Sequence, residues 1–368
     1  MVKTLFLNKL GYDLLKILLS CIGIFVFIFF IRYFIPSYNG ESFYFSIKES
    51  GTEEQNNQKR IKIAAEILEN FDWKILKEKP RMNLSISLIA ADRKNGYITQ
   101  SMAFLLTQIE SWEKVPIISI CNVEDNIFDE LKLFTHKLQI RSINKENNIA
   151  FDLTEDDGRL KKEANDYWNC LNAAYSSNHS TDFILLIEDD AVPIPYFGML
   201  IESLLNQLNS LDYIDFVKLF HPWRLRKIPF MFQATSLSIA FGLTVSYFVF
   251  RRFSIIAILI ISIFMYSCLR QSFYSEIFAD IRFHFSSSAY ITPSESCCTP
   301  GVLFRSTSIP SMLKYFKEQN VENGHAKDHI LDESPFTGKA TDFNYFVHIG
   351  HFSSVRQKVI PLESLLKN

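Results

Sequence analysis

The chain has 368 residues with 38 basic against 40 acidic side chains, a net charge of −2 and a pI near 6.5. That length holds one large domain or two ordinary ones, and the near balance of charge gives no footing for a nucleic-acid partner. Hydrophobic residues make up 48% and are unevenly spread, with many of the 34 Phe in three strongly apolar segments.

The first of these segments, residues 14–35, follows a tail of residues 1–13 and has Lys16 and Arg32 near enough to its ends to snorkel. Beyond Ile31 the sequence RYFIPSYNGES lacks a small-x-small cleavage site, so an uncleaved signal anchor is expected. Lys3, Lys9 and Lys16 against Arg32 place the N-terminus in the cytosol. Residues 36–60 are polar and read as a flexible luminal stem, and a first domain part is expected over 61–228. Ile61, Ala64, Ala65 and Leu68 recur at helical spacing. NLSISLIAAD then alternates as a strand does, residues 99–110 read as a helix, and VPIISICNV is a second strand. Helices are predicted over 126–138 and 159–176, a third strand in DFILLIEDD, a helix over 195–209 and a fourth strand in IDFVKLF. This alternation predicts an α/β domain with a largely parallel sheet.

Residues 229–250 and 253–269 carry no charge and are separated only by Arg251 and Arg252. About 20 apolar residues span a bilayer, with a working range of roughly 17–25, so the pair predicts a transmembrane hairpin over 229–269. A hairpin returns the chain to the side it left, which puts 36–228 and 270–368 in one compartment, the lumen. Arg224, Arg226, Lys227 and Arg270 flank the hairpin against two arginines in its turn, so its orientation rests on the anchor and on parity. Cys21 and Cys268 fall in apolar spans. Cys121, Cys170, Cys297 and Cys298 fall outside them, an even number suited to an oxidising compartment, with all three pairings open. No CxxC spacing supports zinc. Asn83-Leu-Ser and Asn178-His-Ser are acceptor sequons that gain meaning in a lumen.

The chemistry concentrates in FILLIEDDAVPIP, where Glu188, Asp189 and Asp190 end an apolar strand. Ligands of open α/β sheets sit beyond the carboxyl ends of the strands. Three adjacent carboxylates repel one another unless something positive neutralises them, and a hard divalent cation that also bridges phosphate oxygens suits that need. A solvated turn is the plain alternative.

An acidic triplet ending a middle strand, with a late histidine in HIGHFSS (348–354), resembles the luminal glycosyltransferases of the GT-A type. LIEDDAVPIP and HIGxxSS together are similar to the N-acetylglucosaminyltransferase IV group. VKLFHPWRL, ESCCTPGVLF and the inserted hairpin bring the chain closer still to the Golgi GPI-anchor N-acetylgalactosamine transferase family. The resemblance implies a GT-A domain split by a transmembrane hairpin, its second part over 270–368. It implies Asp190 and His348 as ligands of a cation, Mn2+, with Glu188 and Asp189 at ribose or at water beyond the metal's own ligands, and Arg93 near uridine or pyrophosphate. His351 is a neighbour of that histidine, and Trp223 stands where relatives are expected to carry an acid. Inverting transfer requires a carboxylate to take the acceptor proton. GHAKDHILDE offers Asp328, Asp332 and Glu333, of which Asp328 fits the family's Lys-Asp element. The implied activity is transfer of N-acetylgalactosamine from UDP-GalNAc to the mannose core of a GPI-anchored acceptor at the Golgi membrane. An N-glycan-branching N-acetylglucosaminyltransferase and a non-catalytic membrane scaffold are the alternatives.

Overall fold

A computed structural model describes residues 2–34, 53–143, 151–177, 180–222, 231–251, 253–270, 272–294, 298–350, 352–353 and 358–359. The chain divides into a helical unit, Met1–Tyr38 with Arg226–Ser287, and an α/β unit, Asn39–Leu225 with Ser288–Asn368. Helix α1 (Val2–Phe34) opens the chain, followed by α2 (Glu53–Asn70), the short α3 (Ile75–Glu78) and strand β1 (Arg81–Ala90). Next come α4 (Tyr97–Ile109), β2 (Val115–Asn122), α5 (Asp129–Lys132), β3 (Gln139–Ser142), α6 (Asp156–Ser177) and β4 (Phe183–Glu188). Then β5 (Ala191–Pro193), α7 (Phe197–Leu208) and β6 (Phe216–Lys218) precede three helices, α8 (Met231–Phe250), α9 (Ile255–Arg270) and α10 (Ser272–Ser286). The α/β unit resumes with β7 (Ile291–Pro293), β8 (Gly301–Arg305), α11 (Ile309–Lys317) and α12 (Lys327–Glu333). It closes with β9 (Gly338–Thr341), β10 (Phe346–His348), β11 (Phe352–Ser353) and β12 (Lys358–Val359).

The main sheet has eight strands in the order β3-β2-β1-β4-β8-β6-β9-β7. Strands β3, β2, β1 and β4 are parallel. Beyond them β8 runs antiparallel to both β4 and β6, and β7 runs antiparallel to β9. The sheet is therefore mixed rather than largely parallel. The reason lies after the apolar helices, where the segment ending ESCCTPGVLF supplies β8, a strand that enters the sheet between the third and fourth expected ones. Both faces are covered in the middle. Leu84, Ile86 and Leu88 of β1 are buried on one face, and Ser85 and Ser87 on the other. On one side α6 and α11 lay down Trp168, Leu171 and Phe316, with Trp168 and Phe316 stacked at 3.9 Å between centroids.

Two local expectations change. Residues 126–138 hold only the short α5, because His136 takes a φ of +69°, outside the helical region, and β3 follows at once. The stem is ordered earlier than its polarity suggests: residues 53–60 belong to α2, where Arg60 Nε donates to Gln100 Oε1 at 3.0 Å and Gln100 Nε2 to Asn57 Oδ1 at 3.0 Å. Of the open cysteine pairings, Cys121 bonds Cys170 and joins β2 to α6. Cys298 is also disulfide-bonded, while Cys21 and Cys268 lie outside the disulfides. Asn83 is exposed and exchanges hydrogen bonds with Asp182. Asn178, Trp223, Cys297 and His351 lie outside the described residues.

In the helical unit, the buried positions of α8 are Ala234, Ser238, Gly242 and Ser246, one small residue every fourth place. A Cβ on Gly242 would run into Ser262 Oγ and lie 2.9 Å from the Ile258 carbonyl, so α8 and α9 approach at backbone distance. Ile17 and Ile24 of α1 bury themselves with Ala257 and Ile261 of α9. Gly11–Phe30 and Met231–Phe250 are long and apolar enough to cross a membrane. Helix α9, with 16 residues, is about 24 Å long, shorter than a hydrocarbon core of about 30 Å.

Candidate active site

The parallel half of the sheet dictates where chemistry can sit. Strands β1, β2 and β4 end together, with Ile89 beside Glu188 in register, and at their carboxyl ends lies a cavity of about 520 Å3. Its wall includes Arg93, Glu163, Tyr167, Glu188, Asp189 and Lys327. The backbone of the triplet is held from three sides. Glu188 N donates to the Pro300 carbonyl at 2.8 Å, Ser101 Oγ donates to the Asp189 carbonyl at 2.6 Å, and Ile349 N donates to the Asp190 carbonyl at 2.8 Å. The last bond continues the antiparallel pairing of β5 with β10, which sets His348 opposite Ala191. A pairing across 157 positions thus brings the late histidine to the acidic corner.

Each carboxylate meets a different environment. Asp190 is almost fully buried: Arg93 Nη1 binds its Oδ2 at 2.5 Å, and His348 Nε2 faces its Oδ1 at 3.2 Å. Arg93 also reaches back to Asp189, Nη2 to Oδ1 at 2.9 Å, so one guanidinium bridges two adjacent acids. Burial pushes the Asp189 carboxyl up to about 7 against the pull of Arg93. Burial acts on Asp190 in the same sense, but Arg93 and His348 outweigh it and hold that carboxyl well below the ordinary range. Asp190 in turn raises His348, against the effect of its burial. Glu188 belongs to a second cluster. Lys327 Nζ lies 3.3 Å from Glu188 Oε1 and also bonds Glu163, while Thr299 Oγ1 lies 3.3 Å from Glu188 Oε1 and 2.7 Å from Asp328 Oδ1. Burial raises Glu188, with Lys327 opposing. Asp328 is held below the usual carboxylate range although burial acts the other way, chiefly by Lys327 and the Thr299 hydroxyl.

The residues singled out from the sequence therefore come together, in two groups. Arg93, Asp189, Asp190 and His348 form one contact set, and Glu188 and Asp328 share Thr299 in the other. Asp328 stands at the first turn of α12, half-buried behind Lys327, which itself lines the cavity. Sequence reasoning missed Lys327, Glu163 and Thr299. Lys327 had a signal, as the other half of the Lys-Asp element, whereas Thr299 had none beyond its place in ESCCTPGVLF. It also missed Gly350, where a Cβ would strike Asp190 Oδ2; the glycine of HIGH lets the chain lie against the carboxylate.

A divalent cation fits one edge of this corner. Asp190 Oδ1 and Asp189 Oδ2 are buried without a well-formed hydrogen bond, and His348 Nε2 faces the first of them. Among the described residues no group of three or more His, Cys, Asp or Glu is arranged to hold a metal. A site of two protein donors, completed by phosphate oxygens and water, is the kind Mg2+ and Mn2+ accept with a nucleotide.

The family comparison places this mixed α/β fold, with its acidic strand end beside a cavity of about 520 Å3, in the glycosyltransferase class. The profile of the GPI-N-acetylgalactosamine transferase PGAP4 family matches residues 84–348, and the chain belongs to that family. Among solved structures, it overlaps glucosyl-3-phosphoglycerate synthase from Mycobacterium tuberculosis, in complex with Mg2+ and uridine diphosphate, at 16% identity and a TM-score of 0.26. That match covers 43% of this chain and 47% of the synthase, so the chain spans about half the length of that relative. A mycobacterial protein overlaps at 11% identity and a TM-score of 0.33, over 80% of this chain and 75% of the other.

Proposed function

We propose that the chain is a Golgi membrane glycosyltransferase of GT-A type that moves N-acetylgalactosamine from UDP-GalNAc to the mannose core of a GPI anchor, with inversion. The observation that carries this reading is the meeting of Asp190 and His348 with Arg93, which lines the strand-end cavity together with Glu188 and Asp189, in a chain of this family. Asp190 and His348 would hold the cation, Mn2+, which when bound acts as a Lewis acid toward the UDP diphosphate. Arg93 lies where it can trade Asp189 for a phosphate oxygen, since the guanidinium fork suits both. Glu188 and Lys327, on the cavity wall, orient the donor. Asp328, ionised at neutral pH and braced by Thr299, takes the proton of the attacking mannose hydroxyl.

The topology belongs to the same proposal: tail 1–13, anchor 14–35, stem 36–60, luminal domain parts 61–228 and 270–368, and hairpin 229–269. The small-residue stripe of α8 supports the hairpin, because helices in lipid associate through such close packing. The test is UDP release by the detergent-solubilised chain with a panel of UDP-sugars and a GPI-mannose acceptor, with and without Mn2+. Turnover confined to UDP-GalNAc and dependent on the cation is the expected result. Preference for UDP-GlcNAc with an N-glycan acceptor would replace the reading by the branching alternative.

A further inference from the structure

The central sheet hides a lysine that the proposed mechanism leaves unused. Lys218, the last residue of β6, lies between Val302 of β8 and Ala340 of β9, and its side chain is 0% exposed. An ammonium there is costly to desolvate, and a buried ion pair is often no more stabilising than an apolar pair of the same volume. What the lysine provides is a fixed position. Its Nζ lies 2.5 Å from Asp332 Oδ1, to which Ser294 Oγ also donates at 3.2 Å. Asp332 stands four residues after Asp328 on α12, one turn further along the same face. Ile330, on the opposite side of that short helix, and Leu331, on its flank, are buried in the core, so the ion pair and the apolar contacts together fix its rotation.

We propose that Lys218 is a positioning residue for transfer: by clamping Asp332 to the sheet it sets the turn of α12 that presents Asp328 to the site. The inference rests on Asp328 being the proton acceptor. Lys218 also contributes charge. Around Asp328 stand Lys327, His329 and Asp332 on its own helix, Glu188 from β4 and Tyr167 from α6, with Lys218 from β6 among the groups that keep it ionised. Thr299 Oγ1 then holds one oxygen of the carboxylate, so a helix turned by a few degrees would spoil both the hydrogen bond and the aim.

The test uses the full chain in detergent with UDP-GalNAc, Mn2+ and a GPI-mannose acceptor. Lys218→Met is expected to bind UDP as the parent does, to keep both KM values within about twofold, and to lose kcat at least tenfold. The acid limb of its kcat–pH profile is expected to move up, because Asp328 loses a nearby cation. Where Lys218→Met alone does not fold, Lys218→Met with Asp332→Leu removes the orphaned carboxylate and is expected to fold and remain slow. A folded variant of either kind with parental kcat and pH profile overturns the inference. Asp328→Asn separates the two readings. Full activity in Asp328→Asn removes the proton acceptor itself, whereas a dead Asp328→Asn beside a normal Lys218→Met overturns the positioning role alone.

Discussion

Replacing Arg93 with Met tests whether the acidic corner is an electrostatic unit or a set of independent side chains. The guanidinium makes contacts of 2.9 Å to Asp189 and 2.5 Å to Asp190, and its side chain is 16% exposed while both carboxylates are 3% exposed. Breaking a buried pair so that a charge is left uncompensated costs about 3–5 kcal/mol, and the partial exposure of the arginine argues for the lower end, about 3 kcal/mol. For a domain of this size each kcal/mol lowers the melting temperature by about 2–4 °C, so a drop of roughly 6–12 °C is expected by thermal unfolding. Arg93→Lys should recover only part of it, because a single ammonium does not reproduce the two-oxygen fork. Mn2+ with UDP should stabilise Arg93→Met more than the parent, since a cation at 100 times its Kd contributes about 2.7 kcal/mol and here also replaces a missing charge. A loss under about 1 kcal/mol would show that the pair behaves like a surface contact, and the two-acid bridge would lose its significance.

Gly350→Ala forces a methyl group onto Asp190 Oδ2, so activity should fall by an order of magnitude or more while UDP binding without Mn2+ persists, as calorimetry can establish. Cys121→Ser with Cys170→Ser opens a covalent loop of separation 49, which the chain-entropy relation values at about 4 kcal/mol, readable as a lower denaturant midpoint. Asp166, mostly buried beside Lys162 at 2.6 Å, has its carboxyl pushed up to about 6 by burial. The folded state then binds the extra proton, so this group's contribution to stability falls as pH rises from about 4 to about 6, and Asp166→Asn should flatten that slope in unfolding measured across the window.

Local pattern was enough for the parallel half of the fold. The apolar run of 183–187 and the alternation of 84–90 mark β4 and β1 because a covered strand must be apolar, and the acids that end β4 stand out against it. The apolar helices α1, α8 and α9 were legible for the same reason. What local pattern does not carry is long-range pairing. Nothing in GVLFR says that it enters between β4 and β6, and Lys218 looks like an ordinary solvent-facing residue until β8 and β9 close over it. The acidic corner was legible as a run of carboxylates at a strand end and not as an electrostatic arrangement. Arg93 reads as a donor contact in sequence, yet it lies on Asp189 and Asp190, and Lys327 neutralises Glu188 from 139 residues away.

The interleaving of β8 also sets the order in which the protein can be completed. Strand β4 is a buried central strand only after β8 has been made, and until then its second edge is open for pairing with any other chain. Asp190 emerges about 160 residues ahead of His348, an interval of roughly 8–30 s at ordinary elongation rates of about 5–20 residues per second. During that interval α8 and α9 are synthesised, so half a sheet waits while two helices are placed. A chain stopped after β6 carries the whole acidic corner and Arg93, with Lys327 and His348 still unmade. Nascent β4 is accordingly the segment that a chaperone would have to hold.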